Sequence, residues 1–180
     1  SHESLVGTFT VDANGADRAG LRWFELRRSG GAWSLHQEGT FSPDASHRWI
    51  GSSAVDSDGN LAVLFNVTVA SATFPSIRVT GREAADSPGL MTIAETEIQS
   101  GAGAQTFGHS PELWSMSTSL SIDPEDGCTF WATAAFGEDD AWNTRIASFR
   151  FPSCNTVAPP DMIFSDDFET NGLSNWSAVQ

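Results

Sequence analysis

The stretch AVDSDGN (residues 54–60) is followed directly by the apolar run LAVLFNV (residues 61–67). The Asp, Gly and Asn residues of the stretch have the composition of a tight hairpin turn, and the run after it has the β-branched and aromatic residues of a buried strand. A second copy of the pattern, SIDPEDG (residues 121–127), is again followed by an apolar run, CTFWATA (residues 128–134). A turn and a strand that recur in this way indicate a repeated β-sheet unit.

Strands that carry an arginine complete the repeat. Arg78 follows Asp56 at the same interval at which Arg145 follows Asp123, and a third such strand, with Arg22, lies upstream. Repeats spaced by roughly 40 to 50 residues, each with several short strands, are typical of β-propellers, whose blades are four-stranded antiparallel sheets.

Runs of alternating or β-branched residues, separated by Gly, Asp, Asn and Pro, predict an all-β protein. The predicted strands are residues 4–12, 20–28, 33–41, 47–56, 60–69, 75–82, 90–98, 113–122, 128–136 and 143–151. Residues 47–98 supply the four strands of one blade. Residues 4–41 supply three strands without an innermost one, and residues 113–151 supply three without an outermost one. We therefore predict about three blades of four-stranded antiparallel sheet, two of them incomplete.

Composition divides the chain into three parts. Residues 1–154 hold the predicted propeller blades, residues 155–162 (NTVAPPDM) form a linker, and residues 163–180 form a C-terminal tail or the start of a further domain. The open strand edges of the two incomplete blades carry unpaired backbone N–H and C=O groups. We expect the remaining blades of a larger parent protein, or a partner chain, to pair with these edges.

The charge of the chain limits its partners. All nine cationic side chains are arginines, and the formal net charge is −14. Such a surface repels nucleic acid and anionic membranes, because it would gain no counterion-release energy from phosphates. The chain contains no run of 18 apolar residues, so the sequence predicts no membrane-spanning helix.

Three segments resemble a group of large secreted bacterial proteins that carry a C-terminal β-propeller. They are AGLRWFELR (residues 19–27), WSLHQEGTFSPD (residues 33–44) and RWIGSSAVD (residues 48–56). The resemblance covers residues 1–154, and the tail from residue 163 is similar to an ending common in secreted bacterial proteins. It implies an extracellular or bacterial cell-surface location and no particular reaction.

Two cysteines, Cys128 and Cys154, frame the last predicted repeat. Cys128 opens one strand and Cys154 follows the arginine strand, so a disulfide and two buried free thiols both fit the pattern. The extracellular location implied by the resemblance favours the disulfide. In the chain-entropy description the loop that it closes is worth about 3 kcal/mol.

The first turn of the repeat is a candidate calcium site. Asp56, Asp58 and Asn60 offer three oxygen ligands within five residues, and Ca²⁺ takes such donors. The glycine position and the lack of a closing Glu exclude an EF-hand. Asp and Asn are also the residues of a plain hairpin turn, which is the favoured interpretation. Ca²⁺ is the only cofactor that the sequence leaves open.

Candidate ligand-binding residues are three arginines and one tryptophan. Arg22, Arg78 and Arg145 recur at matching strand positions, where they either pair with acids between blades or converge on an anionic ligand. Trp142, in an acidic loop, is the candidate for an exposed ring that stacks on a glycan or a peptide.

No residue is predicted to be catalytic. The chain has no Tyr, so the nucleophile of a propeller sialidase is missing. We favour a secreted β-propeller segment for binding, adhesion or scaffolding, with its ligand at the loop-rich end of residues 99–112 and 138–142. One alternative is a fragment of an extracellular glycoside hydrolase or lyase that uses Glu25, Glu38 or Asp44. The other is a strand-exchange module that forms oligomers or filaments.

Overall fold

A computed structural model describes residues 2–69, 73–104, 118–138 and 141–154 of the chain. All regular secondary structure in these residues is β-strand, and they contain no helix that could cross a lipid bilayer. The strands are β1 (Glu3–Asp12), β2 (Ala19–Arg28), β3 (Ser34–Phe41), β4 (His47–Val55), β5 (Leu61–Val69), β6 (Thr73–Arg82), β7 (Ile93–Gln99), β8 (Ser119–Ile122), β9 (Phe130–Glu138) and β10 (Ala141–Phe149). Each overlaps a predicted strand, so the all-β class is confirmed. The predicted linker and tail lie outside the described residues.

The strands form three antiparallel sheets, in which strands adjacent in sequence are adjacent in space. The first sheet is β1-β2-β3, the second is β4-β5-β6-β7 and the third is β8-β9-β10. The turns before β5 and β9 contain Gly59 and Gly127 at φ 89° and 62°, values that glycine adopts without steric cost. The grouping of three, four and three strands matches the grouping predicted from the sequence.

The second sheet lies in the middle of a stack and is buried on both faces. Strand β5 is buried without interruption over residues 61–67, and successive side chains of a strand point to opposite faces. Leu61, Val63 and Phe65 therefore pack with Trp23 of the first sheet, whereas the residues between them face the third sheet. The continuous apolar run in the sequence marks a strand that has a neighbouring sheet on each side.

Apolar and aromatic side chains fill the contact between the second and third sheets, and a disulfide links two parts of the third sheet's segment. The ring of Phe130, which is fully buried, lies 5.1 Å from the ring of Phe149 and 5.3 Å from that of Phe151, measured between centroids. Cys128 and Cys154 form the predicted disulfide. This bond connects the start of β9 to the turn that follows β10.

The first strands of the three sheets lie side by side, because β1 contacts β4 and β4 contacts β8. Among the residues that the structure describes, neither three-stranded sheet therefore has a counterpart of β7. The prediction that the first sheet lacks its innermost strand is wrong, since β1 occupies that position. A meander of three strands gives the same sequence pattern whichever end is missing, so only the packing between sheets distinguishes the two cases.

A bulge in β4 is held by both neighbouring sheets. The register shifts between Trp49 and Ser52, and Ile50 within the bulge has a φ of 49°, which is rare for a β-branched residue. The N–H of Ile50 donates to the hydroxyl of Thr10 (3.3 Å), and the hydroxyl of Thr118 donates to the carbonyl of Ile50 (2.8 Å). The backbone N–H and C=O groups of Ile50 therefore both have hydrogen-bond partners.

Stacked sheets whose first strands lie together are the arrangement of neighbouring blades in a propeller. Over the residues described, however, the stack is open at both ends and no sheet closes on itself. The four-stranded antiparallel unit is confirmed, and closure into a propeller stays a prediction.

Candidate functional site

The turn between β4 and β5 holds the predicted calcium ligands in a hydrogen-bond network. Oδ1 of Asp56 accepts from the backbone N–H groups of Asp58 (3.0 Å) and Asn60 (2.8 Å). Oδ2 of Asp56 accepts from Nδ2 of Asn60 (2.7 Å), and Oδ1 of Asn60 accepts from the N–H of Ala84 (2.9 Å). These bonds are those of a side-chain-capped turn. In the part of the chain that the structure describes, no group of three or more His, Cys, Asp or Glu residues could hold a metal, and calcium binding stays a prediction.

The three predicted anion-binding arginines lie apart. Arg22 is on the second strand of its sheet, whereas Arg78 and Arg145 are on third strands, so only the last two occupy matching positions. Nη2 of Arg22 lies 2.6 Å from the carboxylate of Glu38, and Nη1 of Arg78 lies 2.8 Å from that of Glu95. Both ion pairs join neighbouring strands of one sheet, so they are not the pairs between blades that the sequence offered as the alternative. Arg145 is exposed on β10.

Trp142 and the loop-rich end of the stack are partly described. The Trp142 side chain is 49% exposed at the start of β10, as its proposed stacking role requires. The N–H groups of Ala102 and Gly103 donate to the carbonyl of Gly137 at 2.8 and 3.3 Å, so the first predicted ligand-face loop contacts β9 at the residue directly before the second. The rest of that face, residues 105–112 and 139–140, lies outside the described part of the chain. Glycan or peptide binding there stays a prediction.

The acids considered for an enzymatic alternative do not lie together. Glu25 lies opposite Gln37 in the β2–β3 ladder, so the next residue along β3, Glu38, points to the other face of the sheet. Asp44 lies beyond β3 and pairs with Arg48. The structure therefore separates Glu25 from Glu38, the closest pair in the predicted sheet.

Glu25 is a buried carboxylate with three side-chain partners. Only 1% of the residue is exposed. It accepts hydrogen bonds from Ser4 (2.9 Å), Arg27 (2.5 Å) and Gln37 (2.6 Å). Desolvation on burial raises the pKa of Glu25, but Arg27, Gln37 and Ser4 together bring that pKa below its ordinary value. The ionised carboxylate connects all three strands of the first sheet to one another.

A second buried charge connects the first sheet to the second. Arg48, with no exposed surface, donates to both carboxylate oxygens of Asp44 (2.9 and 3.0 Å) and to Glu95 of β7 (2.8 Å). Its guanidinium lies 5.5 Å from the ring of Phe41, and Glu95 also accepts from Arg78. The hydrogen bonds from Arg48 hold the pKa of Asp44 far below its ordinary value. We call these five residues the Arg48 cluster.

A polar cleft of about 500 Å³ opens between the first and second sheets. Its lining residues are His2, Ser4, Arg27, Val55, Asp56, Ser57, Asp58, Gly59 and Ala84. Arg27 is bound to Glu25, and Asp56 is bound within its turn. The charges that line the cleft are of both signs and partly neutralised, so the cleft alone selects no class of ligand.

The face of the first sheet directed away from the second carries large apolar side chains beside the Arg22–Glu38 ion pair, and no other described sheet packs on it. Leu5, Leu26 and Leu35 are cross-strand neighbours there. The ring of Phe24 lies over Gly7, where a β-carbon would come within 2.5 Å of it. We define the outer apolar face by its five large side chains, Leu5, Phe9, Phe24, Leu26 and Leu35. Leu5, Phe9 and Leu35 are 45%, 52% and 54% exposed.

The sequence carried a signal for this face that strand prediction alone did not use. In β1, Leu5 and Phe9 alternate with Val6, which packs in the buried cluster on the other side of the sheet. Apolar residues on both faces of a strand predict a sheet packed on both sides. At the opposite end of the stack, the third sheet exposes Trp142 and Ile146, of which Ile146 is 58% exposed.

Comparison with known proteins identifies no relative of this chain. No protein-family model matches it, and neither a curated protein nor a solved structure does so. The resemblance to propellers of secreted bacterial proteins therefore stays a prediction. The sites described above are interpreted from their own geometry.

Proposed function

We propose that this chain is a secreted, non-catalytic scaffolding module, a β-propeller segment of a bacterial surface protein, which binds further β-sheets at the open ends of its stack. The observation that carries the proposal is the outer apolar face of the first sheet. Monomeric proteins rarely expose a contiguous apolar surface of this kind unless a partner covers it.

The stack itself indicates what the partner is. The second sheet turns Leu61, Val63 and Phe65 toward the first sheet, and all three are at most 1% exposed. The first sheet presents Phe9 and Leu35 outward in the same manner, yet about half of each is exposed. Burying a large apolar side chain contributes about 1.5–3 kcal/mol, so a further sheet packed on this face would be held strongly.

Two further observations support the extracellular and non-catalytic parts of the proposal. The Cys128–Cys154 disulfide is typical of oxidising compartments. Glu25, Glu38 and Asp44 each form an ion pair with an arginine, which leaves them as structural acids. An enzyme that used them would first have to break these pairs.

The test uses a second copy of the chain as the available partner sheet. In this contact the outer face of the first sheet of one copy packs on the outer face of the third sheet of another copy. The contact is head-to-tail, so it can continue from copy to copy. The variant Leu5→Lys/Phe9→Lys/Leu35→Lys places three charges on the outer apolar face. The matched control, Phe74→Lys/Leu90→Lys, changes side chains that are 47% and 58% exposed on β6 and on the β6–β7 connection.

Sedimentation across a concentration series distinguishes the variants. We expect the wild type and the control to associate as concentration rises and the outer-face variant to remain monomeric. Its free energy of unfolding should stay within about 0.5 kcal/mol of the wild type, as is usual for exposed positions. A wild type that is monomeric at about 1 mM, the concentration at which weak contacts become half-occupied, would contradict the proposal. Equal loss of association in the control would contradict it as well.

A further inference from the structure

The third sheet has an outward side at the end of the stack opposite the outer apolar face. Strand β9 turns Phe130, Ala132 and Ala134 toward the second sheet, and successive side chains of a strand point to opposite faces. The residues between them therefore point outward, together with their cross-strand neighbours on β8 and β10. We define the hydroxyl face by the outward residues that solvent reaches: Ser119, Ser121, Trp131, Thr133, Trp142, Thr144, Ile146 and Ser148.

Over the described residues of β8, β9 and β10, the outward side carries no charge. None of the residues of the hydroxyl face is ionisable, and neither are Ala135 and Gly137, the buried residues that β9 adds to the same side. The chain as a whole has a formal net charge of −14, which repels acidic polymers. An uncharged polymer meets no such repulsion and loses no charged group to desolvation on this face, so the electrostatics favour a neutral ligand.

Serine and threonine side chains occupy most of the hydroxyl face. Ser119 lies opposite Thr133, and Thr133 lies opposite Ile146, so polar and apolar side chains share one row across the sheet. The serines and threonines of the face are all exposed. A hydroxyl group both donates and accepts hydrogen bonds, and one that a ligand covers needs a partner on that ligand. Polysaccharides supply such partners, because they carry hydroxyl groups along their whole length.

Indole rings lie toward both ends of the hydroxyl face. Trp142 is 49% exposed near the start of β10. Trp131 is half-buried opposite Ser148, near the other end of the strand, and its Nε1 donates to the carboxylate of Asp123 (3.0 Å), which restrains the ring. At the usual rise per residue, the two positions are about 20 Å apart along the strands. Flat rings so placed can stack on the apolar faces of separate sugar units of one extended chain.

We propose that the hydroxyl face binds a linear, uncharged polysaccharide of extended shape, a β-linked glucan or a chitin-like chain, laid along β10. Trp142 and Trp131 stack on its sugar rings, and the serine and threonine hydroxyls hydrogen-bond to it between them. The inference goes beyond the proposed function, because it gives this end of the stack a ligand that is not a β-sheet. A second copy that packs on the same face competes with the polysaccharide.

Native electrophoresis in gels that contain a dissolved polysaccharide tests the binding. The chain is acidic and migrates toward the anode, so a neutral polymer that binds it slows its migration. We expect hydroxyethyl cellulose or glycol chitin to slow the wild type. Carboxymethyl cellulose, which has the same backbone with added carboxylates, should slow it less. No effect of either neutral polymer, or a stronger effect of carboxymethyl cellulose, would overturn the proposal.

Substitutions of one exposed ring show whether the hydroxyl face is the site. Trp142→Ala should weaken the binding about tenfold, the factor expected for the loss of one stacking contact. Trp142→Phe keeps a flat ring and should retain most of the affinity. The matched control, Trp33→Ala, removes an indole that is 39% exposed beside the first sheet, and it should bind as the wild type does. Equal loss in the control, or unchanged affinity of Trp142→Ala, would overturn the proposal.

The variant Leu5→Lys/Phe9→Lys/Leu35→Lys distinguishes polysaccharide binding from self-association. Its substitutions are on the first sheet, so it should bind the polysaccharide with the affinity of the wild type. A loss of more than about tenfold in this variant would overturn the assignment to the third sheet, because the first sheet would then carry the site. A monomeric wild type that binds the polysaccharide through Trp142 would support this inference while contradicting the association of copies.

Discussion

The two interfaces of the stack hold the same middle sheet by different means. Between the first and second sheets, charged side chains are buried among the apolar ones: Arg48, Glu25 and Arg82 are at most 2% exposed. Between the second and third sheets, the contact is apolar and includes the rings around Phe130, whereas the Cys128–Cys154 disulfide lies within the third sheet's own segment. One interface contains buried charges, and the other is apolar and aromatic.

Because the two interfaces differ, one of them should separate first when the stack unfolds. A buried ion pair loses much of its attraction to desolvation, so it fixes geometry more than it stabilises. Apolar burial contributes in proportion to area and depends little on pH. We therefore expect the first sheet to detach from the second before the third does, particularly in acid or at high salt.

The aromatic interface should be the costliest to damage. Phe130→Ala removes a fully buried ring that contacts Phe149 and Phe151, and it should lower the free energy of unfolding by about 3–5 kcal/mol. Denaturant unfolding measures the loss, with Phe74→Ala, a ring that is 47% exposed, as the control. If the two variants lost similar amounts, Phe130 would not belong to a tightly packed interface.

The disulfide should be the next largest contribution. Cys128→Ala/Cys154→Ala should cost about 3 kcal/mol, the value for a loop of this length. A reducing agent should shift the unfolding of the wild type by a similar amount and leave the variant unchanged. Hydrogen exchange should then show β9 and β10 opening at a lower free energy, because the bond joins the start of β9 to the turn after β10. Unchanged protection of β9 would show that packing, and not the disulfide, sets the stability of the third sheet.

The Arg48 cluster should contribute less than either of these. Arg48→Met keeps most of the side-chain volume but leaves the carboxylate of Glu95, which is 12% exposed, with fewer partners. We expect a loss of about 2 kcal/mol, below the usual range for a fully buried pair because Asp44 is 56% exposed and can turn to water. Arg28→Met, which breaks the exposed pair with Glu3, should change stability by less than about 1 kcal/mol. If the Arg48 variant were as stable as the wild type, the buried charges would contribute no stability to the interface between the first and second sheets.

The strands and their grouping could be predicted from local sequence, and the interfaces could not. Turn residues and alternation define β5 and its neighbours, since both are properties of adjacent residues. The partners of Arg48 come from before β4 and from β7, at opposite edges of the sheet, and no local pattern connects Asp44 to Glu95. The alternation also assigns Leu5 and Phe9 to one face of β1, but whether that face is covered depends on which sheet lies beside it.

The place of β1 was mispredicted for the same reason. A three-stranded meander has the same alternation whether it lacks its first or its last strand, and the contact of β1 with β4 is long-range. The prediction that Arg22 and Arg78 occupy matching strand positions is wrong for a related reason. Their segments have similar amino-acid sequences, but Arg22 lies on the second strand of its sheet and Arg78 on the third strand of its own. Only strand order distinguishes them.

Low pH should have the smallest effect on stability, and it should weaken the ionic interface more than the aromatic one. Asp44 has its pKa held far below the ordinary 3.8 by the hydrogen bonds from Arg48, and the pKa of Glu25 is also lowered in the folded protein. A carboxyl group with a lowered folded pKa stabilises the fold fully above its unfolded pKa and progressively loses that contribution as pH falls toward the folded value. Stability should therefore fall between about pH 5 and pH 2.

Hydrogen exchange at pH 5 and pH 3, corrected for the intrinsic exchange rate, measures where the loss occurs. The amides of β2 should open more readily at the lower pH, while those of β9 change less. Asp44 is half-exposed, so its share should be below about 1 kcal/mol. The variant Asp44→Asn should reduce the pH dependence in β2 and leave β9 unaffected. If β9 opened together with β2 at every pH, the stack would unfold as one unit. The ionic interface would then have no separate stability, because a cooperative unit shares the loss of any one contact among all its strands.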